Sequence, residues 1–61
     1  MSAIGRYTAL ARSGRVRMYG ELPMTEFTVG EIAELFRDGL IYYQRLDGRW
    51  SFRCAVPLED L

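Results

Sequence analysis

Residues 27–40 read Phe27-Thr28-Val29-Gly30-Glu31-Ile32-Ala33-Glu34-Leu35-Phe36-Arg37-Asp38-Gly39-Leu40. Thr28 and Glu31 have the spacing of a capping box, in which the Thr28 hydroxyl accepts from the Glu31 amide and the Glu31 carboxylate accepts from the Thr28 amide. Phe27 before the cap and Ile32 at the fourth helical position fit a hydrophobic staple. Val29, Ile32, Ala33 and Phe36, joined by Leu35, make one apolar stripe. Gly39 after Asp38 reads as a left-handed stop, with Leu40 closing back onto Leu35 or Phe36. The run therefore predicts a helix from about Val29 to Asp38, to which the Thr28 hydroxyl contributes ~1 kcal/mol.

Downstream, Leu40 to Val56 predicts a β-hairpin turning at Asp47-Gly48. Trp50, Phe52, Cys54 and Val56 alternate with Arg49, Ser51, Arg53 and Ala55, which sets the inward face of the second strand. A two-residue turn pairs Leu46 with Arg49, Tyr43 with Phe52 and Ile41 with Cys54. A bulged three-residue turn would shift the pairing by one and send Tyr42 inward; the two-residue turn is the expectation. Pro57 ends the strand, and residues 57–61 form a short acidic tail.

Upstream, the first twenty residues admit two readings. Ser13-Gly14 between two candidate strands suggests a second hairpin, with Tyr7, Ala9, Ala11, Val16 and Met18 on one face and Thr8, Leu10, Arg15, Arg17 and Tyr19 on the other. A helix over Ala3 to Arg12 is the rival, because Ile4, Tyr7 and Ala11 also fit a helical stripe. Tyr19 to Phe27 is a connection broken by Gly20 and Pro23. With the hairpin preferred, the fold expected is a single α+β domain of 61 residues in the order ββαββ. It has an antiparallel sheet of two hairpins with one helix packed on one face, and Trp50 at the core's centre.

A chain of 61 residues buries only ~60% of its unfolded surface, so its core is marginal. Hydrophobic residues at 49% and charged residues at 26% are globular values and argue against disorder. One cysteine excludes an internal disulfide, and without histidine a structural zinc site lacks ligands; neither metal nor other cofactor is expected. The longest apolar run, Leu40-Ile41-Tyr42-Tyr43, is far too short for a membrane span, so a cytoplasmic protein is expected. All eight basic residues are arginine, and lysine and asparagine are absent. Codon bias in a GC-rich bacterial or phage genome leaves that pattern; selection for bidentate guanidinium groups would leave it too.

The charges add to zero but are segregated. Residues 1–20 carry four arginines and no acid, whereas residues 21–38 carry Glu21, Glu26, Glu31, Glu34 and Asp38 against Arg37. Residues 39–53 are basic again, with Arg45, Arg49 and Arg53 against Asp47. If the helix covers the Trp50/Phe52 face, the opposite face displays Arg15, Arg17, Arg49 and Arg53, with Tyr19 and Tyr42 among them. An ordinary solvated sheet face would look the same. Arginine and tyrosine are also the types enriched at protein hot spots and those that hold phosphates and stack on bases.

Other motifs carry less. Thr28 to Phe36 resembles a helix from a helix-turn-helix DNA reader, but Gly39 leads straight into a strand and the helix is acidic. Glu31 and Glu34 are more simply a capping residue and a solvated one than an acid–base pair. Cys54 points inward with no histidine to activate it. The function expected is that of a non-enzymatic interaction protein, a small regulator or inhibitor docking onto a larger protein or ribonucleoprotein through Arg15, Arg17, Tyr19, Tyr42, Arg49 and Arg53. The alternatives are a nucleic-acid-binding protein using the same face, or, only if the N-terminal segment is helical, a winged-helix-like DNA-binding regulator. Symmetric pairing of exposed hairpin edges, or a head-to-tail meeting of basic sheet and acidic helix, would make a homodimer.

Overall fold

The computed structural model describes residues 2–55; the expected acidic tail and the expected end of the last strand at Val56 lie outside them. Helix α1 spans Ala3–Arg12, helix α2 Val29–Arg37, strand β1 Ile41–Leu46 and strand β2 Arg49–Cys54, with a 3-10 turn over Met24–Glu26 between the helices. The class is α+β, as expected. The first half corrects the ββαββ order, because residues 3–12 form a helix and not the first strand of a hairpin.

The reason is local chemistry that one glycine conceals. Ser2 caps α1, its hydroxyl accepting from the Gly5 amide at 3.1 Å. At the other end Gly14 has φ +84°, the Gly14 amide donates to the Ala11 carbonyl at 3.1 Å and the Arg15 amide to the Leu10 carbonyl at 2.9 Å. That pair of bonds is a Schellman stop, not a hairpin turn. Between cap and stop the segment holds Ala3, Ala9 and Ala11, alanine being the strongest helix former. Ala3, Tyr7 and Ala11, spaced at successive turns of one face, are buried.

Helix α2 forms as its sequence predicts. Thr28 and Glu31 close both bonds of the capping box, and Phe27 and Ile32 are both in the core. The second Schellman stop has Gly39 at φ +79°, with the Gly39 amide on the Phe36 carbonyl at 3.2 Å and the Leu40 amide on the Leu35 carbonyl at 3.0 Å.

The hairpin adopts the two-residue turn, with Asp47 and Gly48 both at positive φ, as a type I′ turn requires. Its register pairs Ile41 with Cys54, Tyr42 with Arg53, Tyr43 with Phe52 and Leu46 with Arg49. Residues 19–22 run along the other side of β2. The Tyr19 amide donates to the Cys54 carbonyl at 2.6 Å, the Cys54 amide to the Gly20 carbonyl at 2.9 Å and the Leu22 amide to the Phe52 carbonyl at 2.9 Å.

The core lies where the helices meet the base of the hairpin. It comprises Tyr7 and two alanines of α1, Val16, Leu22, Phe27, Ile32, Leu35, Leu40, Ile41 and Cys54. Tyr7 is its largest fully buried side chain, and its hydroxyl donates to the Leu40 carbonyl at 3.2 Å. The expectation that Trp50 centres the core is corrected: Trp50 is 54% exposed. A six-residue strand is ~20 Å long, whereas the nine residues of α2 span only ~14 Å. The helix covers the Ile41/Cys54 end, and the Trp50 end projects beyond it.

Replacing Tyr7 by Phe keeps the ring and removes one of the two hydrogen bonds that the Leu40 carbonyl accepts, the Ala55 amide keeping the other, so urea unfolding is expected to show a loss of ~1 kcal/mol. Tyr7→Ala is expected to lose ~3–5 kcal/mol, enough to leave a domain this small largely unfolded by circular dichroism.

Candidate functional site

The six residues expected to form one sheet face divide in the structure. Arg15, Arg17 and Tyr19 lie in the loop after α1, not on a strand. Arg15 pairs with Glu26, and the Arg17 Nε donates back to the Gly14 carbonyl at 3.2 Å. Arg49 pairs with Glu21 at 3.2 Å. Arg53 lies opposite Tyr42 in the register, and its Nη1 donates to the Tyr19 carbonyl at 3.0 Å. The structure thus brings Tyr19, Tyr42 and Arg53 to one side of the hairpin and turns Arg15 toward the 3-10 turn. Tyr42 is half-buried, so less of it faces solvent than the outward placement implies.

Tyr19 stands out on its backbone. It has φ +66°, a conformation that costs an L-residue ~1–2 kcal/mol, and its side chain is 65% exposed. Nothing in the core requires that ring.

A second surface was not expected from the sequence. Val29, Ile32, Ala33 and Phe36 of α2, Met24 before it, and Tyr43 and Phe52 of the hairpin line an open apolar groove of about 460 Å³. Val29 is 85% exposed, and Tyr43 50%. Aromatic rings run along the groove to the hairpin tip: Phe36 meets Phe52 edge-on at 5.9 Å between centroids, Phe52 meets Tyr43 at 4.6 Å, and Tyr43 stacks on Trp50 at 4.9 Å. Such contacts each add ~0.5–1.5 kcal/mol beyond burial, so the row is held in shape although it faces water. The signal for this groove was present in α2, whose apolar arc is wider than the base of one hairpin can cover.

The titratable groups nearby are structural. Glu31 accepts from the Thr28 amide at 2.9 Å and pairs with Arg6 of α1, whose Nη1 also donates to the Glu26 carbonyl at 3.3 Å. The Thr28 amide bond is the main cause of a lowered Glu31 pKa; partial desolvation opposes it and the Arg6 charge reinforces it. Burial pushes the Cys54 thiol up, against weaker hydrogen bonds from the Tyr7 side chain and the Arg17 backbone. A fully buried, protonated thiol is a packing group and not a nucleophile. Among the described residues no cluster of acids and cysteine could hold a metal ion, and no helix is long and apolar enough to cross a membrane.

Against this geometry, comparison with protein-family models, curated proteins and solved structures yields no match to the chain.

The Glu31 network has a pH signature. A carboxylate whose folded pKa is depressed stabilises the fold fully above its ordinary value of 4.5 and loses that contribution as pH falls through the depressed value. Glu31→Gln is therefore expected to melt below the wild type at neutral pH, with the two melting temperatures converging in acid. A gap that stays constant down the acid range would separate Glu31 from this role.

Proposed function

We propose that this chain is a non-enzymatic interaction protein of the regulator or inhibitor kind, which docks onto a larger protein by taking apolar side chains of that partner into the groove between α2 and the hairpin. One observation carries the reading: the groove is open, continuous and lined by Met24, Val29, Phe36, Tyr43 and Phe52, with Trp50 stacked at its end. A domain with so little core exposes its aromatic rings here instead of burying them, and exposed apolar patches of this kind mark binding surfaces. Met and aromatic residues are also the types enriched at the centres of protein interfaces. A sealed Cys54 supports a binding role over thiol catalysis.

Nucleic-acid binding through Arg17, Tyr19, Tyr42 and Arg53 is the second reading, favoured by the exposed Tyr19 ring on its left-handed backbone. It ranks below the first because Arg15 and Arg49 of the same set already hold Glu26 and Glu21, which weakens the field available to phosphates.

The test uses a partner identified by affinity capture and then purified. Val29→Asp places an acid at the first position of α2, where the helix dipole favours it, so the fold is retained. This variant, and Trp50→Ser at the tip, are each expected to weaken the partner at least tenfold, about 1.4 kcal/mol. Unchanged dissociation constants for both would remove the groove from the mechanism. Tyr19→Gly relieves the backbone and is expected to leave stability equal or higher by up to ~1 kcal/mol. Binding that survives in the two groove variants, falls in Tyr19→Gly and declines steeply with salt would select the nucleic-acid reading instead.

A further inference from the structure

The groove between α2 and the hairpin is walled by apolar side chains. The backbone behind those walls is already bonded, within α2 on one side and along both sides of β2 on the other. An occupant therefore receives no backbone donor or acceptor from the groove and must satisfy its own. An α-helix does so internally. An extended segment would turn amides and carbonyls toward the apolar walls. The walls also set a length. Val29 and Phe36 stand seven residues apart on α2, about 10.5 Å, which is the distance between the first and last of side chains at i, i+4 and i+7 on one helical face.

Charge beside the groove is one-sided. Arg45 follows Tyr43 on the same face of β1 and stands directly across from Trp50 in the register. It borders the row of rings where that row reaches the hairpin tip. Arg45 is exposed and makes no ion pair among the described residues. The acids of the surrounding elements are already engaged: Glu21 with Arg49, Glu26 with Arg15, Glu31 with Arg6, and Glu34 with Arg37. Asp47 lies in the turn itself, beyond the last ring.

On the basis of the docking role given above to this groove, we propose that its occupant is an amphipathic, acid-flanked helix of the partner protein. Apolar side chains at i, i+3 or i+4, and i+7 enter the groove, and an aspartate or glutamate one turn beyond them meets Arg45. Apolar contacts along a row of rings tolerate sliding, whereas a carboxylate on a guanidinium fixes register. A basic helix of the same apolar pattern brings like charge to Arg45 and is rejected.

The probe is a phage-displayed library of random peptides of ~16 residues, long enough to become helical on binding. It is panned on the full chain and depleted on the double variant Val29→Ser, Trp50→Ser. Both positions are exposed and both changes are uncharged, so groove and charge are tested separately. Enriched peptides are expected to carry apolar residues at helical spacing with an acid on one flank, and to gain helical circular dichroism when bound. The double variant is expected to bind them at least tenfold more weakly. Arg45→Glu, an exposed change that keeps the fold, is expected to weaken them about fivefold and, when panned itself, to enrich a basic flank. Peptides with a basic flank, or with no charge preference, would overturn the proposal while leaving the groove as the docking site. So would enriched peptides that alternate apolar residues and bind extended. A chain that dimerises in sedimentation, and does so only without the double substitution, would make a second copy the occupant and overturn it too. A library that leaves no binder after depletion would remove the groove reading itself, and the partner helix with it.

Discussion

The Tyr7 side chain joins the parts of this molecule that the chain itself leaves far apart. It projects from α1 into the junction where α2 ends and β1 begins, and its hydroxyl satisfies the Leu40 carbonyl there. Leu40 is also the residue that closes the Schellman stop of α2 through its amide and accepts from Ala55 after β2 through its carbonyl. One short segment thus terminates a helix, starts a strand and receives the largest buried side chain. A chain this small has no second core to fall back on, so the position of each helix relative to the hairpin depends on that contact. Ala3 and Ala11 on either side of Tyr7 allow α1 to approach closely enough for the ring to reach.

The arginines show how a tertiary structure reassigns charge. Blocks of opposite sign along the chain suggest a basic surface and an acidic one. In the folded molecule Arg6 holds Glu31, Arg15 holds Glu26 and Arg49 holds Glu21, each pair joining a basic block to the acidic one. Surface pairs of this kind contribute little stability individually, but Arg6 is different in kind. It meets a carboxylate already engaged in the N-terminal cap of α2, so helix initiation and helix–helix packing share one group. What remains unpaired is less basic than the sequence implies, and the apolar groove lies open beside it.

That groove follows from a mismatch of lengths. Helix and hairpin start from the same junction, and the hairpin extends further. Side chains near the base, Ile41 and Cys54, are buried; those midway, Tyr43 and Phe52, are partly covered; Trp50 near the tip is open. Inward orientation and burial are therefore separate properties. Alternation along a strand identifies the face correctly at every position, yet it contains no information about how far the opposing layer reaches. The stacked rings that result are ordered by one another, as the proposed docking role needs.

How much was legible in the residues depends on the range of the interactions. The cap, staple and stop of α2, the type I′ turn and the complete hairpin register are set by contacts between near neighbours, and the sequence alone determined them. So was the packing role of Cys54, from strand alternation. The first helix was readable as a rival only, because a glycine after a polar residue serves equally as a hairpin turn and as a helix stop. Capping by Ser2 and the alanine content favoured the helix, but the choice is sealed by Tyr7 reaching Leu40 across 33 residues. The groove, the pairing of Arg15 and Arg49, the exposure of Trp50 and the left-handed Tyr19 were decided by tertiary structure. Each depends on where one layer ends relative to another, a distance that no local pattern of residues encodes.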